Sequence, residues 1–227
     1  MLTPKKKLTK REIKQDKLVT TWFKFNDWLS QNTRELFIGV GVVAVVVGLV
    51  FLFNWMKARD EQNAAEKFAQ ARTEHNKKNY LGAIPVLEKL VSEYGGTKSA
   101  GLATIYLANA YLQTKDYLNA EKHYKRYLDD GDGDPILEVS AAFGVAATYE
   151  ARNEFAKAAK IYEDAANEHE DSYRAPQLLM SAARNYKEGG QIEGARRNLQ
   201  KLIDKYPKSS LVEEAKLFMA ETGQASS

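Results

Sequence analysis

The feature that most constrains the fold is an internal repeat in residues 57–227. Alanine recurs in two columns that keep the same phase, with spacings of 37, 38 and 37 residues in each column. A period of this length is typical of repeat architectures, in which each unit buries its apolar face against its neighbours. The two columns are Ala83, Ala120, Ala158 and Ala195, and, twelve residues earlier, Ala71, Ala108, Ala146 and Ala183.

Each unit has the pattern of two helices joined by a short turn. In the second unit, residues 101–113 and 117–130 are the two helical segments. The alanine columns mark places where two helices cross closely, because larger side chains would push the backbones apart. An apolar pattern after Pro207 predicts one more helix that closes the end of the stack. The sequence therefore predicts an all-α solenoid of about four helical hairpins plus a closing helix over residues 57–221, and a disordered tail at residues 222–227.

An apolar run precedes the repeats. Residues 36–53 contain no charged or strongly polar side chain, and the stretch between Glu35 and Lys57 is 21 residues long. As a helix it is about 31 Å long, which matches a bilayer core of roughly 30 Å. The run predicts one transmembrane helix over residues 36–56. The alternative is a cleavable signal peptide, which normally has a shorter apolar core and a shorter leader.

Residues 1–35 form a basic head, with nine basic and four acidic residues, whereas residues 57–227 have 24 basic and 26 acidic residues. In the head, Leu18, Trp22, Phe25 and Leu29 fall on one stripe of a helix. A basic helix with such a stripe is typical of the membrane interface. A groove on a partner protein is the alternative, and the stripe disfavours nucleic acid, whose binding interleaves aromatic and basic side chains.

The orientation follows from the sizes of the two flanking parts. The 20 residues before the span and the 20 after it have three and four basic residues, so the local count does not decide. Long domains cross a membrane largely regardless of charge, whereas short basic heads are retained in the cytoplasm. We therefore expect a cytoplasmic head and repeats on the other side.

Composition argues against an enzyme. The chain has no cysteine and three histidines, and no two of these histidines lie within five residues of each other. Disulfide frameworks, thiolate metal sites and cysteine nucleophiles are excluded, and no short-range histidine pair for a metal is present. No catalytic constellation stands out, so the sequence predicts a non-enzyme without cofactor or metal.

The order of small, aromatic and proline positions resembles the tetratricopeptide repeat, most closely in the last unit, with Ala183, Tyr186, Ala195, Leu199 and Pro207. With the head and the span, the layout is similar to the ancillary SecYEG translocon subunit family of bacterial inner membranes. This resemblance implies periplasmic repeats that act as an accessory or holdase-type chaperone, with translocon subunits, extended client segments and periplasmic chaperones as partners. An envelope assembly or regulatory scaffold with a dedicated partner is the alternative.

The resemblance also implies a partner-binding face, formed by the first helix of each hairpin. Its share in the second unit is largely apolar and its share in the fourth unit is basic, which suits extended peptide. The alternative is that Leu102, Ile105 and Phe143 pack against neighbouring helices. The implied residues are Phe68, Arg72 and His75 in the first unit, Leu102, Ile105, Asn109 and Leu112 in the second, Phe143 and Glu150 in the third, and Met180, Arg184 and Lys187 in the fourth.

Overall fold

The computed structural model describes residues 10–130 and 133–224, and within these ranges it contains ten α-helices and no strand. Two compact units divide the chain, Met1–Lys57 and Ala58–Ser227. The all-α prediction is confirmed. The helices are α1 Lys10–Gln31, α2 Thr33–Asn76, α3 Tyr80–Glu93, α4 Lys98–Gln113, α5 Tyr117–Asp130, α6 Pro135–Ala151, α7 Phe155–Glu168, α8 Ala175–Glu188, α9 Ile192–Lys205 and α10 Val212–Gln224.

The first unit contains α1 and the first part of α2. Asn32 separates the two helices, and its side-chain Nδ2 donates a hydrogen bond of 2.8 Å to the Trp28 carbonyl oxygen. The rings of Trp22 and Phe25 lie 6.3 Å apart, and those of Phe25 and Trp28 lie 6.4 Å apart. All three rings are exposed. Trp22 and Phe25 belong to the predicted stripe, and Leu29, the last member of that stripe, is half-buried. The side chain of Leu18, at the predicted start of this stripe, lies outside the described part of the chain.

Helix α2 contains the predicted span. It is 44 residues long, and its most apolar 18-residue window has a mean hydropathy of 3.0 with no residue buried. It is long and apolar enough to cross a membrane, by length and composition. The helix continues through residues 58–76, which provide the first helix of the repeats, so no turn follows the predicted end of the span at residue 56.

The second unit is a stack of four hairpins and one closing helix. Residues 58–76 of α2 share an apolar cluster with α3. The hairpins α4–α5, α6–α7 and α8–α9 follow, and α10 packs against α9. All eight alanines of the two columns have no exposed surface. Their burial agrees with close helix crossings at these positions, where only a methyl group fits between backbones.

Large side chains fill the space between hairpins. The phenol rings of Tyr124 and Tyr162 are buried, 3% and 1% exposed. Gly144 in α6 provides room for Tyr124, because a Cβ atom at this glycine would come within 2.5 Å of the ring. The apolar clusters therefore extend from one hairpin into the next along the stack.

Polar contacts between hairpins recur with the repeat. The hydroxyl of Tyr111 donates to Glu88 over 2.6 Å, and the hydroxyl of Tyr149 donates to Glu121 over 2.7 Å. In both cases the tyrosine belongs to the first helix of a hairpin and the glutamate to the second helix of the preceding one. Burial and the neighbouring Glu88 raise the pKa of Tyr111 to about 12. The tyrosine column of the sequence is thus a series of links between hairpins.

A carboxylate also connects the first hairpin to the second. Glu61 in α2 accepts hydrogen bonds from the backbone N–H of Lys98 over 2.7 Å and from the hydroxyl of Ser99, also over 2.7 Å. These groups are at the start of α4, where backbone N–H groups have no partner within the helix and a negative charge is favourable. Glu61 therefore fixes the register of residues 58–76 against α4.

The end of the array differs from the predicted boundary. Helix α10 continues to Gln224, three residues beyond the predicted end of the repeat domain at residue 221. Thr222 is fully buried, and its hydroxyl donates to the Met219 carbonyl oxygen over 2.8 Å. Thr222 is therefore a helical residue, not part of a disordered tail. Residues 225–227 of the predicted tail lie outside the described residues.

Candidate functional site

The candidate site lies on the face formed by the first helices of the hairpins, here called the groove face. Residues 58–76 of α2 and helices α4, α6 and α8 form it, and α10 stands in the next equivalent position. One column of this face has the spacing of the alanine columns and continues onto α10. Its members are Phe68, Ile105, Phe143, Met180 and Leu217.

This column is packed in the hairpins and exposed only on α10. Phe68 and Met180 are 8% and 2% exposed, and Ile105 and Phe143 are half-buried. Leu217 is 69% exposed. Two predicted site residues, Phe68 and Met180, are therefore core residues that offer little surface to a partner. The physical reason is that the neighbouring hairpin covers each position, whereas no hairpin follows α10 in the described chain.

The aromatic members of the column are held by other rings. Phe68 meets Tyr106 edge to face with ring centroids 5.0 Å apart, and Phe143 meets Tyr162 in the same way at 5.1 Å. The guanidinium group of Arg174 lies 5.0 Å from the centre of the Phe143 ring. These contacts stabilise the stack, so the packing alternative describes Phe143 well.

The predicted residues of the first two hairpins form a polar and an apolar group. The His75 ring and the Asn109 side-chain oxygen are 2.9 Å apart, and Tyr106 lies 4.9 Å from the His75 ring. Leu102 and Leu112 are half-buried against the clusters beneath them. Arg72 is the exposed member of this set. At this end of the groove face, most predicted site residues are engaged with each other or with the core.

A concave site is present at the other end of the groove face, here called the C-terminal groove. It has a volume of about 530 Å³ and is formed by α6, α8 and α10. The structure brings three predicted residues together there. The lining residues are the predicted Glu150, Arg184 and Lys187, together with Glu188, Glu214, Leu217, Phe218 and Glu221.

The last five of these residues were not predicted from the sequence. A signal for two of them was available, because the columns of Met180 and Arg184 reach Leu217 and Glu221 when they are extended by 37 residues. The prediction treated α10 as a closing helix without a binding face. The structure shows that α10 provides half of the groove lining.

Ion pairs across the groove set its charge. Arg184 Nη2 lies 2.6 Å from a carboxylate oxygen of Glu214, and Lys187 Nζ lies 3.6 Å from one of Glu221. Lys187 Nζ also lies 4.8 Å from the centre of the Phe218 ring. The fourth unit's share of the groove face is basic in sequence, but α10 offsets both cations of this share. With four carboxylates and two cations in the lining, the groove has a formal net charge of −2.

The remaining carboxylates come from α6 and α8. Glu150 accepts a hydrogen bond of 3.0 Å from the hydroxyl of Tyr162, and burial together with Glu150 raises the pKa of that tyrosine. Glu150 and Glu188 are both exposed. In the described part of the chain, no group of three or more His, Asp or Glu side chains is placed to hold a metal ion. The lining can bind a chain segment through apolar and charged contacts.

Comparison with known proteins identifies the type of repeat. A family model described as a tetratricopeptide repeat-like domain matches residues 26–142, and one described as a tetratricopeptide repeat matches residues 177–209. No curated protein matches the chain.

This chain is similar to solved structures of a Podosopora anserina protein. That protein is described as a kinesin light chain with nearly identical tetratricopeptide-like repeats. The first has a TM-score of 0.60 at 16% identity and covers 73% of this chain and 88% of the other. A second structure, of a point variant of the same protein, has a TM-score of 0.59 at 16% identity and covers 73% and 87%. At this identity the likeness concerns the fold alone. Because the first family model covers more than half of its residues, the chain belongs to the tetratricopeptide repeat-like domain family.

Proposed function

We propose that this protein is a membrane-anchored module that binds other proteins through its repeats. Tetratricopeptide arrays are protein-binding scaffolds, and the groove face of this array ends in an open groove. The observation that carries the anchoring is α2, whose most apolar window has no buried residue. No other part of the described chain covers this apolar surface, and such a surface is stable in a lipid environment.

The proposed location is the inner membrane of a bacterium, with the head in the cytoplasm and the repeats in the periplasm. Two observations support it. The head has an excess of five basic residues, whereas the repeat region has an excess of two acidic residues. Short basic segments are retained on the cytoplasmic side. The exposed rings of Trp22, Phe25 and Trp28 suit the interface, where aromatic side chains are enriched.

The proposed role is that of an accessory or holdase-type chaperone beside the Sec translocon, which binds polypeptide segments as they emerge. An anchor restricts the repeats to the membrane surface and raises their effective concentration there to the order of millimolar. Modest affinity is then sufficient for binding, and rapid dissociation releases the client. The exposed Leu217 and the flanking charges of the C-terminal groove suit short extended segments.

A scaffold that binds one dedicated envelope partner is the second candidate. The observation that favours it is the limited size of the open site. Phe68 and Met180 are buried and Ile105 is half-buried, so most of the apolar column is unavailable to a client. A groove of about 530 Å³ accommodates a few side chains of one partner more readily than a long unfolded segment.

Site-specific crosslinking in native membranes tests the role. A photoreactive residue at Arg184 or Leu217 of the full chain faces the groove, and one at Lys122, exposed on α5, is the matched control. The chaperone role predicts that the two groove positions capture translocon subunits and secretory clients and that the control position does not. Capture of a single other envelope protein would replace this role with the scaffold.

A second measurement separates the two candidates by activity. The full chain in lipid nanodiscs is mixed with an unfolded secretory protein, and aggregation is followed by light scattering. A holdase suppresses aggregation, and Leu217→Ser weakens the suppression because the substitution removes the exposed apolar side chain of the groove. Unchanged aggregation with and without the chain would exclude the holdase role.

A further inference from the structure

The charge of the C-terminal groove points to a class of ligand. Arg184 and Lys187 are the cations of its lining, and both are paired with carboxylates of α10, at 2.6 and 3.6 Å. Each cation is therefore offset by a carboxylate, and the two pairs add no net charge to the groove. Glu150 and Glu188 have no cation within ion-pair distance among the described residues. The groove thus presents excess negative charge to whatever enters it.

The acidic and apolar side chains of α10 form one stripe. Glu214, Leu217, Phe218 and Glu221 stand at positions i, i+3, i+4 and i+7, and all four line the groove. Such positions share a face of a helix. Leu217 is 69% exposed and Phe218 is half-buried, so an apolar surface lies between two carboxylates. The neighbouring Glu213 is not among the residues that line the groove, and it forms an ion pair with Lys216.

We propose that the C-terminal groove binds extended peptide segments in which a lysine or arginine stands next to a large apolar side chain. The apolar side chain covers Leu217 and Phe218, and the cation faces Glu150 and Glu188. This inference rests on the proposed function, because it names the chemical class of segment that the groove face binds. It reverses the preference for acidic segments that the basic residues of the fourth unit imply on their own.

The carboxylates of α10 have two effects on this preference. They neutralise Arg184 and Lys187, which would otherwise repel a basic segment, and as a result the charges of Glu150 and Glu188 remain uncompensated. Removal of both charges changes the formal charge of the groove from −2 to 0. If α10 determines the preference for basic segments, neutral side chains in place of its two carboxylates abolish that preference, although α6 and α8 are unchanged.

Peptide binding to the full chain in lipid nanodiscs tests the proposal. Three fluorescent peptides have leucine and phenylalanine at the same positions. The two residues between these positions are lysines in the first peptide, glutamates in the second and serines in the third. We expect the basic peptide to bind at least about tenfold more tightly than the acidic one at 50 mM salt, and the difference to shrink at 1 M salt, where the Debye length is about 3 Å. Tighter binding of the acidic peptide would overturn the proposal.

Matched variants locate the preference in the groove. Glu214→Gln with Glu221→Gln is expected to weaken binding of the basic peptide about tenfold, and Arg184→Glu is expected to strengthen it, whereas Glu213→Gln leaves it unchanged. Leu217→Ser is expected to weaken binding of all three peptides. Its control, Leu81→Ser, changes a leucine that is 74% exposed on α3 and leaves binding unchanged. Equal effects of the Glu213 variant and the double variant would overturn the assignment to the groove.

The outcomes separate this inference from the proposed function. If crosslinkers at Arg184 capture translocon subunits while the three peptides bind equally, the ligand class is wrong and the proposed function stands. If the basic peptide is preferred and the variants behave as expected while no translocon subunit or client is captured, the ligand class stands and the proposed function is wrong.

Discussion

Glu163 shows how a single residue connects two hairpins. Its carboxylate in α7 accepts hydrogen bonds from the Tyr186 hydroxyl over 2.5 Å, from Arg197 over 3.1 Å and from Asn198 over 3.1 Å, all in the next hairpin. Burial raises the pKa of Glu163, but these hydrogen bonds outweigh it and the net pKa is lowered. Burial and Glu163 in turn raise the pKa of Tyr186 to about 12. The link is therefore strongest with an ionised carboxylate and a neutral phenol.

Glu163→Gln tests this link through its pH dependence. Because the folded-state pKa is below the unfolded value, the ionised carboxylate stabilises the fold above the unfolded pKa, and this contribution disappears as the pH falls through the folded value. We expect Glu163→Gln to lose about 1–2 kcal/mol of unfolding free energy at pH 7 and less at pH 3. Urea unfolding of the chain in detergent micelles measures both. Glu168→Gln, an exposed change on the same helix, is the control, and an equal loss at the two pH values would contradict the argument.

The turns within the hairpins contain a second recurrent residue feature. Lys78, Lys115, Asn153 and Gly190 occupy the same place after the first helix of each hairpin, with φ angles of 61, 65, 61 and 72°. This left-handed region suits glycine, is tolerated by asparagine and strains most other residues by about 1–2 kcal/mol. Two of the four turns, at Lys78 and Lys115, therefore tolerate a strained residue, whereas the other two use residue types that suit this conformation.

Lys115→Gly is expected to leave the chain equally stable or to stabilise it by up to about 1 kcal/mol. Relief of strain at φ 65° offsets the greater freedom that glycine gives the unfolded chain. Lys122→Gly makes the same chemical change in the exposed interior of α5 and should destabilise by about 1 kcal/mol. Urea unfolding of the two variants measures the difference. Similar losses for both would show that the turn at residue 115 is not strained.

At the scale of elements, the fold depends on helices that approach closely at alanine. Ala158 in α7 has no exposed surface, and it belongs to the cluster shared by helices α6 to α10. Interiors of this density have little room for additional methylene groups. The alanine columns are therefore the positions at which the spacing between helices is set.

Ala158→Leu should destabilise the chain by about 1–3 kcal/mol, because the larger side chain separates the helices that cross there. Ala156→Leu is the control, since Ala156 is exposed two residues earlier in the same helix. Thermal unfolding followed by circular dichroism compares the two variants. A melting temperature of Ala158→Leu equal to that of the unchanged chain would contradict the placement of the crossing.

At the scale of the whole molecule, the chain combines an apolar helix with an array whose open site is at one end. Helix α2 includes both the predicted span and the first helix of the repeats. The C-terminal groove involves the last three helices of the groove face, α6, α8 and α10. The proposed function needs the span and the groove together, so its first requirement is that the repeats are on the side where clients emerge.

Reporter fusions test the proposed topology. Alkaline phosphatase is active only outside the cytoplasm, so a fusion after Ser227 should be active and a fusion within the first 30 residues should be inactive. The physical reason is retention of the short basic head, with its nine basic residues, in the cytoplasm. A reporter that is active only in the cytoplasm, fused at the same two places, should give the reverse pattern. An inactive phosphatase at Ser227 would exclude a periplasmic site for the repeats.

The sequence by itself determined the helical class, the number of hairpins, the turns and the small crossing positions. These depend on periodicity, which is a local property that each unit repeats. The buried columns that contain Ala83 and Ala108 were identified from spacing alone. The apolar run that forms part of α2 was equally evident, because 18 residues without charge are a contiguous signal.

Only the tertiary structure decided which groove residues are accessible and what charge they present. Phe68 and Leu217 belong to one column, yet one is 8% and the other 69% exposed, because exposure depends on whether another hairpin follows. Arg184 is a cation in sequence, but Glu214, 30 residues later, offsets that charge within the groove. Burial and ion pairing depend on contacts between distant residues, and a periodic pattern does not contain this information.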